Sequence, residues 1–500
     1  MGTLDFKQAL PVLFSLIVGY LLASTLYQWH RLRHIPGPFL ASFSYVWLGY
    51  LGWSGKQYEI QKLLGEKYGP LVRVGPNVVS TDDPGTIRRM SNAKSLYPRS
   101  GWYDGARFHP DSDSMFTMLE PTRHDKHKAK TSHGYSGRET PGLESAIDEQ
   151  IGNLIGLIRR KYIGKSGAKV MPMDLSKIFP LFTLDVISRI ALGKEFGCLE
   201  ADKDVHGFYH LVESQLPVMN VLGDVPWARK IVFSTLGIRL LGPKPTDKTG
   251  LGLMMKLTND EVRKRYMADG STLNDMLGSF RRHGLTEVEC QTEALFMFVA
   301  GSETTSSALR IILLYLIATP VAYQKLKTEI KDAIKSERVS SPITAAEAKE
   351  LQYLQATIHE GLRIRPVATA TFGKEVPPEG DIINGYFVPG GTTVGPNMSS
   401  LMYSKALFGE DADIFRPERF LEADQVTRAE MQRNVDLVFG YGRWMCAGKA
   451  IAWLELNKTL FEVLRRFDFQ ILDPKAGATC LSHGAWVDKD MLVVATESDI

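Results

Sequence analysis

One of the four cysteines stands where chemistry is expected. Cys446 falls in "FGYGRWMCAG", residues 439–448, among three glycines, an arginine and aromatic residues. It precedes a predicted helix over residues 447–466, whose first N–H groups lack internal partners and point at whatever comes before them. A sulfur at that position is stabilised as thiolate. Gly440, Gly442 and Gly448 permit tight turns and the close approach of a flat group to the backbone. Phe439, Tyr441 and Trp444 supply apolar cover. A thiolate in an apolar loop with room for a planar group suits an axial ligand to haem iron. The alternative is a free buried cysteine, the common fate of a lone thiol.

The other cysteines, Cys198, Cys290 and Cys480, are far apart and form no CxxC pair. They give neither a disulfide framework nor a cysteine zinc pattern, and they fit a reducing compartment. Hydrophobic residues at 44% and charged residues at 23% are ordinary for a globular protein with a sizeable core. The formal net charge of +3 over 500 residues is too mild to point to nucleic acid, and no basic run with interleaved aromatics occurs.

The elements that must hold the cysteine loop are mostly helical. Residues 57–68 read as helix, and "LVRVGPNVVS", residues 71–80, as two short strands around a Gly-Pro-Asn turn. Residues 95–122 are loop-like. From about 140 to 340 apolar residues recur at three and four, as in "LFTLDVISRIAL". A capping box at Thr344 and Glu347 opens a predicted helix over 344–365. "DIINGYFVPGGTTV", residues 381–394, switches to strand character, with Asn384-Gly385 as a two-residue hairpin turn. Short strands follow residue 468. The expected fold class is mainly α with small β-sheets (α+β), with no strand–helix alternation for a doubly wound sheet.

The N-terminus carries a further segment. Residues 9–27, "ALPVLFSLIVGYLLASTLY", hold no charge. Nineteen residues at helical rise give roughly 28 Å, close to the ~30 Å of a bilayer core. The basic cluster His30, Arg31, Arg33, His34 follows it, and the positive-inside rule then places the rest of the chain in the cytosol. The competing reading is a cleaved signal peptide, which would lack a clear positive n-region. "HIPGPF", residues 34–39, breaks the helix. The expected organisation is a membrane anchor with basic flank over 1–33 and one catalytic domain over 34–500.

Phe439-x-x-Gly442-x-x-x-Cys446-x-Gly448 resembles the haem-binding loop of the cytochrome P450 superfamily. "AGSETT", residues 300–305, resembles that family's oxygen-binding segment; Glu360-x-x-Arg363 resembles its Glu-x-x-Arg pair; "FRPERF", residues 415–420, resembles its third structural motif. The four occur in the family's order, and the resemblance covers essentially the whole chain. One departure stands out. The family usually places arginine two residues before the cysteine, and here that residue is Trp444, with Arg443 before it. This arrangement, "YGPLVRVGPNVVS" and "TLDVISRIALGKEFG" resemble fungal microsomal pisatin-demethylase-like members.

The resemblance implies haem b (iron protoporphyrin IX) with Cys446 as axial ligand and a monooxygenase of hydrophobic small molecules. It further implies O₂ and NADPH–cytochrome reductase as partners, and the cytosolic face of the endoplasmic reticulum as location. Small Ala300 and Gly301 would leave space above the haem. Thr304, bonding back to the Ala300 carbonyl, and Glu303 would pass protons. Glu360, Arg363 and Arg419 would form a buried structural trio beneath the loop. His124 and Lys128, matching the family's Trp-x-x-x-Arg, would contact the propionates, with Arg443 or another base in place of the family's arginine. Lys126, Lys128, Lys130, Arg443 and Lys449 would form a basic face for an acidic flavoprotein. The substrate pocket would draw on the 100–118 loop, residues 296–300, 367–371 and 481–486, including Trp102, Phe108, Met115, Phe116, Phe298 and Trp486. Hydroxylation is the leading reaction, within fungal secondary metabolism. Desaturation, oxidative rearrangement, peroxide isomerisation and a non-catalytic haem sensor are the alternatives.

Overall fold

The computed structural model describes residues 6–163, 171–267 and 274–499. Its organising element is the central helix Glu287–Ala318, 32 residues long and roughly 48 Å at helical rise. A complete capping box, Thr286 with Glu289, starts it. Nineteen of its residues are buried, so it is apolar around most of its circumference and must be enclosed by other elements. The helices Leu175–Leu192, Gln352–Ile364 and Lys449–Arg466 pack against it. The first of these is itself buried along nearly its whole length.

The sheets lie at the edges. The strands Leu71–Gly75, Val78–Thr81, Thr393–Pro396 and Lys374–Glu375 form one sheet in that order. Val78–Thr81 runs parallel to Thr393–Pro396, with Val79 opposite Val394. That pairing ties the beginning of the chain to its last third. A hairpin joins Asp381–Ile383 to Tyr386–Val388, and Asn384 and Gly385 both adopt the positive φ that its tight turn requires. Near the C-terminus Met173–Asp174, Leu492–Glu497 and Phe467–Ile471 make a three-stranded sheet, beside the pair Thr479–Ser482 and Trp486–Lys489. The chain is thus mainly α with small sheets, as the sequence predicts.

Two local expectations are revised. The single helix over 344–365 is two, Ala345–Glu350 and Gln352–Ile364, broken at the extended Leu351. The second is capped from afar: the Glu329 carboxylate accepts the N–H groups of Tyr353 (2.8 Å) and Leu354 (2.9 Å). Within the loop-like stretch 95–122, Gly101–Ala106 winds into a 3₁₀ helix started by the Ser100 side chain.

Residues Phe6–Leu32 form one helix. Phe14, Leu16, Tyr20, Leu22 and Leu26 are exposed on it; the side chains of residues 6–10, 13, 17 and 21 lie outside the described set. Among helices whose side chains are described, no single one is long and apolar enough to cross a membrane.

Candidate active site

The cysteine loop closes on itself. Helix Gln425–Val435 runs into a 3₁₀ turn, Asp436–Phe439. The Cys446 N–H then donates back to the Phe439 carbonyl at 2.7 Å. Gly442 has φ +55°, and a Cβ there would meet the Ser91 carbonyl oxygen at 2.4 Å, so this corner admits only glycine. Arg443 fastens the loop to its neighbours. Its Nε bonds Asp125 at 3.0 Å, and its other nitrogens bond the carbonyls of Ala93 and Ser95. Lys128 donates to the carbonyls of Arg443 (2.7 Å) and Met445 (3.3 Å). Helix Lys449–Arg466 follows directly. The Cys446 side chain is accessible, facing the cavity, yet desolvation by the surrounding loop raises its thiol pKa, while the Gly448 and Lys449 N–H groups and the Lys128 charge act the other way.

Cys446 forms part of the wall of a cavity of about 330 Å³ whose opposite wall is the central helix at Ala300, Gly301 and Thr304. The Thr304 hydroxyl donates to the Ala300 carbonyl at 2.9 Å, and Thr183 donates to the Ser302 carbonyl at 2.8 Å. Side-chain hydroxyls therefore engage two helix carbonyls at this turn. A Cβ on Gly301 would meet Ile187 at 3.2 Å, so this glycine also sets the distance to helix Leu175–Leu192. Phe439, Gly440, Ala447 and Gly448 flank the sulfur, and Met115, Phe116, Phe296, Val367 and Phe372 give the remaining wall an apolar surface. A larger concavity, about 1330 Å³, lies between the C-terminal strands and helix Pro320–Lys335. Of the predicted residues it holds only Trp486 and none of those expected to bind the cofactor or move protons, so chemistry rather than size locates the site.

Of the two residues expected to move protons, Thr304 reaches the cavity and Glu303 is not among its lining residues. Adjacent helix positions are turned about 100° apart, and Glu303 is drawn to Arg310 on its own face at 2.5 Å. Arg310 also bonds Asp488 at 2.6 Å. Burial pushes the Glu303 carboxyl up to about 7, with Arg310 pulling it down. Among the pocket residues named from the sequence, Met115 and Phe116 line the cavity while Trp102, Phe108, Phe298 and Trp486 do not. Phe298 is buried against Phe196, and the Trp486 indole N–H donates to the Pro366 carbonyl at 2.8 Å.

The trio Glu360, Arg363 and Arg419 is assembled and buried. Arg363 makes two parallel bonds to the carboxylate, at 2.7 and 2.8 Å. Arg419 Nε reaches both oxygens at 3.1 Å. Of the expected basic face, Lys449 pairs with Asp436 at 3.0 Å and Lys130 donates to the Gly284 carbonyl at 2.9 Å.

The cavity also gathers cations that the sequence reading missed. Arg99 and Lys374 face each other across an isolated antiparallel bridge, framed by Ser100 N–H to Gly373 O (2.9 Å) and Glu375 N–H to Pro98 O (3.0 Å). Like charges directly opposite one another are destabilising, and both residues are buried. Arg99 spends one nitrogen on the carbonyls of Met115, Phe116 and Met118, and its Nε has no partner. The Lys374 ammonium has no hydrogen-bonding or ionic partner among the described residues. Burial, then the Arg99 charge, lower its pKa well below the ordinary lysine value. Trp444 lies between them, with Arg99 at 4.3 Å and Lys374 at 5.0 Å from its ring, and its indole N–H is buried without an acceptor. The His124 ring packs against Trp444, tilted at 50° with centroids 4.4 Å apart; burial and then Arg99 push its pKa down to about 3. Arg99, Lys374, His124 and Trp444 all line the cavity, whereas Lys128 and Arg443 lie outside its wall. Two opposed cations without a carboxylate partner and an indole N–H without an acceptor, beside an apolar slot, fit the two acid groups and flat ring of a haem.

Two buried acids also line the wall, Glu455 and Glu293, the latter accepting from the Met115 N–H at 2.8 Å and the Tyr135 hydroxyl at 3.2 Å. Glu455, on the helix after the cysteine, has a carboxyl oxygen without a partner, and burial alone holds its pKa well above the usual range. A sequence signal for it existed: it falls on the buried stripe of an amphipathic helix, with Ile451 and Glu462.

Comparison with known proteins agrees with this geometry. The profile described as "Cytochrome P450" matches residues 35–483. The cytochrome P450 monooxygenase aba1 of Botryotinia fuckeliana is 50% identical over 470 residues, covering 94% of this chain and 92% of that protein. The cytochrome P450 monooxygenase ABA1 of Pyricularia oryzae is 42% identical over 492 residues, covering 97% and 96%. Pisatin demethylase of Fusarium vanettenii is 29% identical over 484 residues, covering 94% and 91%. With its cysteine loop, the Ala300–Thr304 turn of the central helix lining the same cavity and a profile match over most of its length, this chain belongs to the cytochrome P450 family and is a monooxygenase of that family.

Proposed function

We propose that the protein is a membrane-anchored monooxygenase that hydroxylates a hydrophobic small molecule in fungal secondary metabolism, with haem b as its cofactor. The observation that carries this reading is the meeting of Cys446 and Thr304 across one cavity with an apolar wall. Haem, when bound, supplies the activation of O₂ and the insertion of one of its oxygen atoms. The chain's own residues do the rest. Cys446 would hold the iron through its thiolate. Arg99, Lys374 and the Trp444 indole N–H would hold the two propionates, with His124, neutral, orienting Trp444. Thr304 holds a hydroxyl proton at the cavity side of the central helix, and its bond to Ala300 fixes that proton's position. Glu303 acts at one remove, by setting Arg310 and the C-terminal strand that bears Asp488. Met115, Phe116, Phe296 and Phe372 exclude water and select an apolar substrate. Electrons come from an NADPH–cytochrome reductase docking near Lys126, Lys128 and Lys449.

Residues 1–33 serve as the anchor and its basic flank, and residues 34–500 as the catalytic domain on the cytosolic face of the endoplasmic reticulum. Support comes from the uncharged run 9–27 and from a second apolar surface. Trp227, Ile231, Leu236, Leu240 and Leu241 are exposed along residues 226–241. These helices adjoin helix Phe208–Asp224, which packs on Val46–Trp53, where Val46 and Trp53 are exposed too.

The test is the carbon monoxide difference spectrum of the reduced protein and of Cys446→Ser, followed by NADPH-dependent oxidation of apolar substrates with added reductase. A strongly red-shifted Soret band that the substitution abolishes is the expected result. An identical spectrum in both proteins removes Cys446 from the iron, and the reading with it.

A further inference from the structure

A cluster outside the cavity has the make-up of a metal site. His133 lies in the last turn of helix Pro121–Tyr135, Glu139 just beyond the Gly137 turn, and His283 at the end of helix Met276–Arg282. One ligand atom from each lies within 4.8 Å of the others. The two imidazoles are 4.4 Å apart and nearly parallel, at 9°. His283 Nε2 bonds one Glu139 oxygen at 2.8 Å. The second Glu139 oxygen accepts from Ser279 (2.9 Å) and Arg282 (3.1 Å). His133 Nδ1 is buried and has no partner.

We propose that His133, Glu139 and His283 bind a divalent transition-metal ion, zinc by the chemistry of the donors. Two imidazole nitrogens and one carboxylate oxygen are the borderline donors zinc accepts, with water in the fourth position. Magnesium and calcium prefer all-oxygen sites. The ion takes the place of the proton shared by His283 and Glu139. Ser279 and Arg282 keep the outer carboxylate oxygen and so orient the ligand from behind. Tetrahedral zinc needs its ligand atoms roughly 3.3 Å apart; they lie within 4.8 Å of one another, so the two near-parallel rings must turn toward a common point, at positions that are only partly buried. The ion fastens the helix that carries His124 and Lys128 to helix Met276–Arg282 and the start of the central helix. It therefore stiffens the support of the cysteine loop from 133 rather than from within the cavity.

The experiment uses untagged, full-length, haem-loaded protein stripped with chelator. It measures zinc affinity and stoichiometry by competition with a chromophoric chelator. One zinc per chain is expected, with affinity at least tenfold weaker in His133→Ala, His283→Ala and Glu139→Gln. Should a histidine variant fail to load haem, Glu139→Gln, which keeps the side chain's shape, decides. No stoichiometric zinc on the wild-type chain overturns the proposal, and so does a loss below tenfold in every folded variant.

Discussion

Removing the Glu360 carboxylate tests how the cysteine loop is held from below. Glu360 and Arg363 are fully buried and Arg419 is 3% exposed. The carboxylate accepts from Arg363 Nε and Nη2, from Arg419 Nε, and from the Arg416 N–H at 2.8 Å. In Glu360→Ala the two arginines fare differently. Arg419 retains Asp411 at 2.9 Å and the Phe408 carbonyl. Arg363 retains only carbonyls, those of Met402 (2.8 Å), Ala412 (2.7 Å) and Ile414 (3.2 Å). One charge is therefore stranded rather than two, a cost of about 3–5 kcal/mol. The orphaned Arg416 N–H adds about 1–3 kcal/mol. Against a total stability of about 5–15 kcal/mol, the variant yields little haem-loaded protein. The assay is urea unfolding of the haem-loaded protein in detergent, together with haem content per chain. A double-mutant cycle with Arg363→Met separates charge from packing: removing both charges recovers part of the loss. Normal haem content in Glu360→Ala, or strictly additive single and double variants, refutes the reasoning.

Thr304→Val lowers product formed per NADPH at least tenfold, while Glu303→Gln changes it less than threefold, because only Thr304 lines the cavity; hydrogen peroxide release measured alongside NADPH use checks this, and the reverse order refutes it. Lys374 has a folded pKa below its ordinary value of about 10.4, so the unfolded chain binds more protons in that window and the apoprotein gains stability as pH rises through it. Lys374→Met flattens that slope and stabilises the apoprotein at neutral pH while weakening haem retention, as urea midpoints across pH and haem transfer to apomyoglobin report. Deleting residues 1–33 leaves the chain bound to lipid vesicles, and adding Trp227→Glu with Leu240→Glu releases it, as flotation shows; release by the deletion alone disproves the second contact surface.

Whatever depends on neighbours in sequence was legible. The Thr344 cap, the Asn384-Gly385 turn, the Glu360–Arg363 spacing and the glycine pattern around Cys446 each carry their geometry within a few residues. What was missed depends on distant partners. Glu329 splits the helix predicted over 344–365 by capping residues more than twenty positions away. The partner of Glu303 had no local signal either: Arg310, which bonds it, is itself held by Asp488 from a C-terminal strand. Arg99 and Lys374 gave no signal, since neither "YPRSG" nor "FGKEV" is distinctive. Only a strand bridge formed on folding sets them opposite each other.

That bridge also explains how the loop tolerates tryptophan where the family usually has arginine. An arginine at 444 would be a third cation beside Arg99 and Lys374, in a buried place with two acid groups to satisfy. Trp444 instead offers its ring face to both cations, at 4.3 and 5.0 Å, an attraction worth about 2 kcal/mol when desolvated. It keeps one N–H as a donor. Arg443, displaced one position outward, does mechanical work in its place by tying the loop to Asp125, Ala93 and Ser95. Charge for the cofactor and fastening of the loop, which one arginine could serve together, are here divided between a cross-strand pair brought from residues 99 and 374 and an arginine that never enters the cavity. The division makes cofactor binding depend on the sheet at Lys374–Glu375 as well as on the loop, so the small β-sheet belongs to the active site as much as the long helix does.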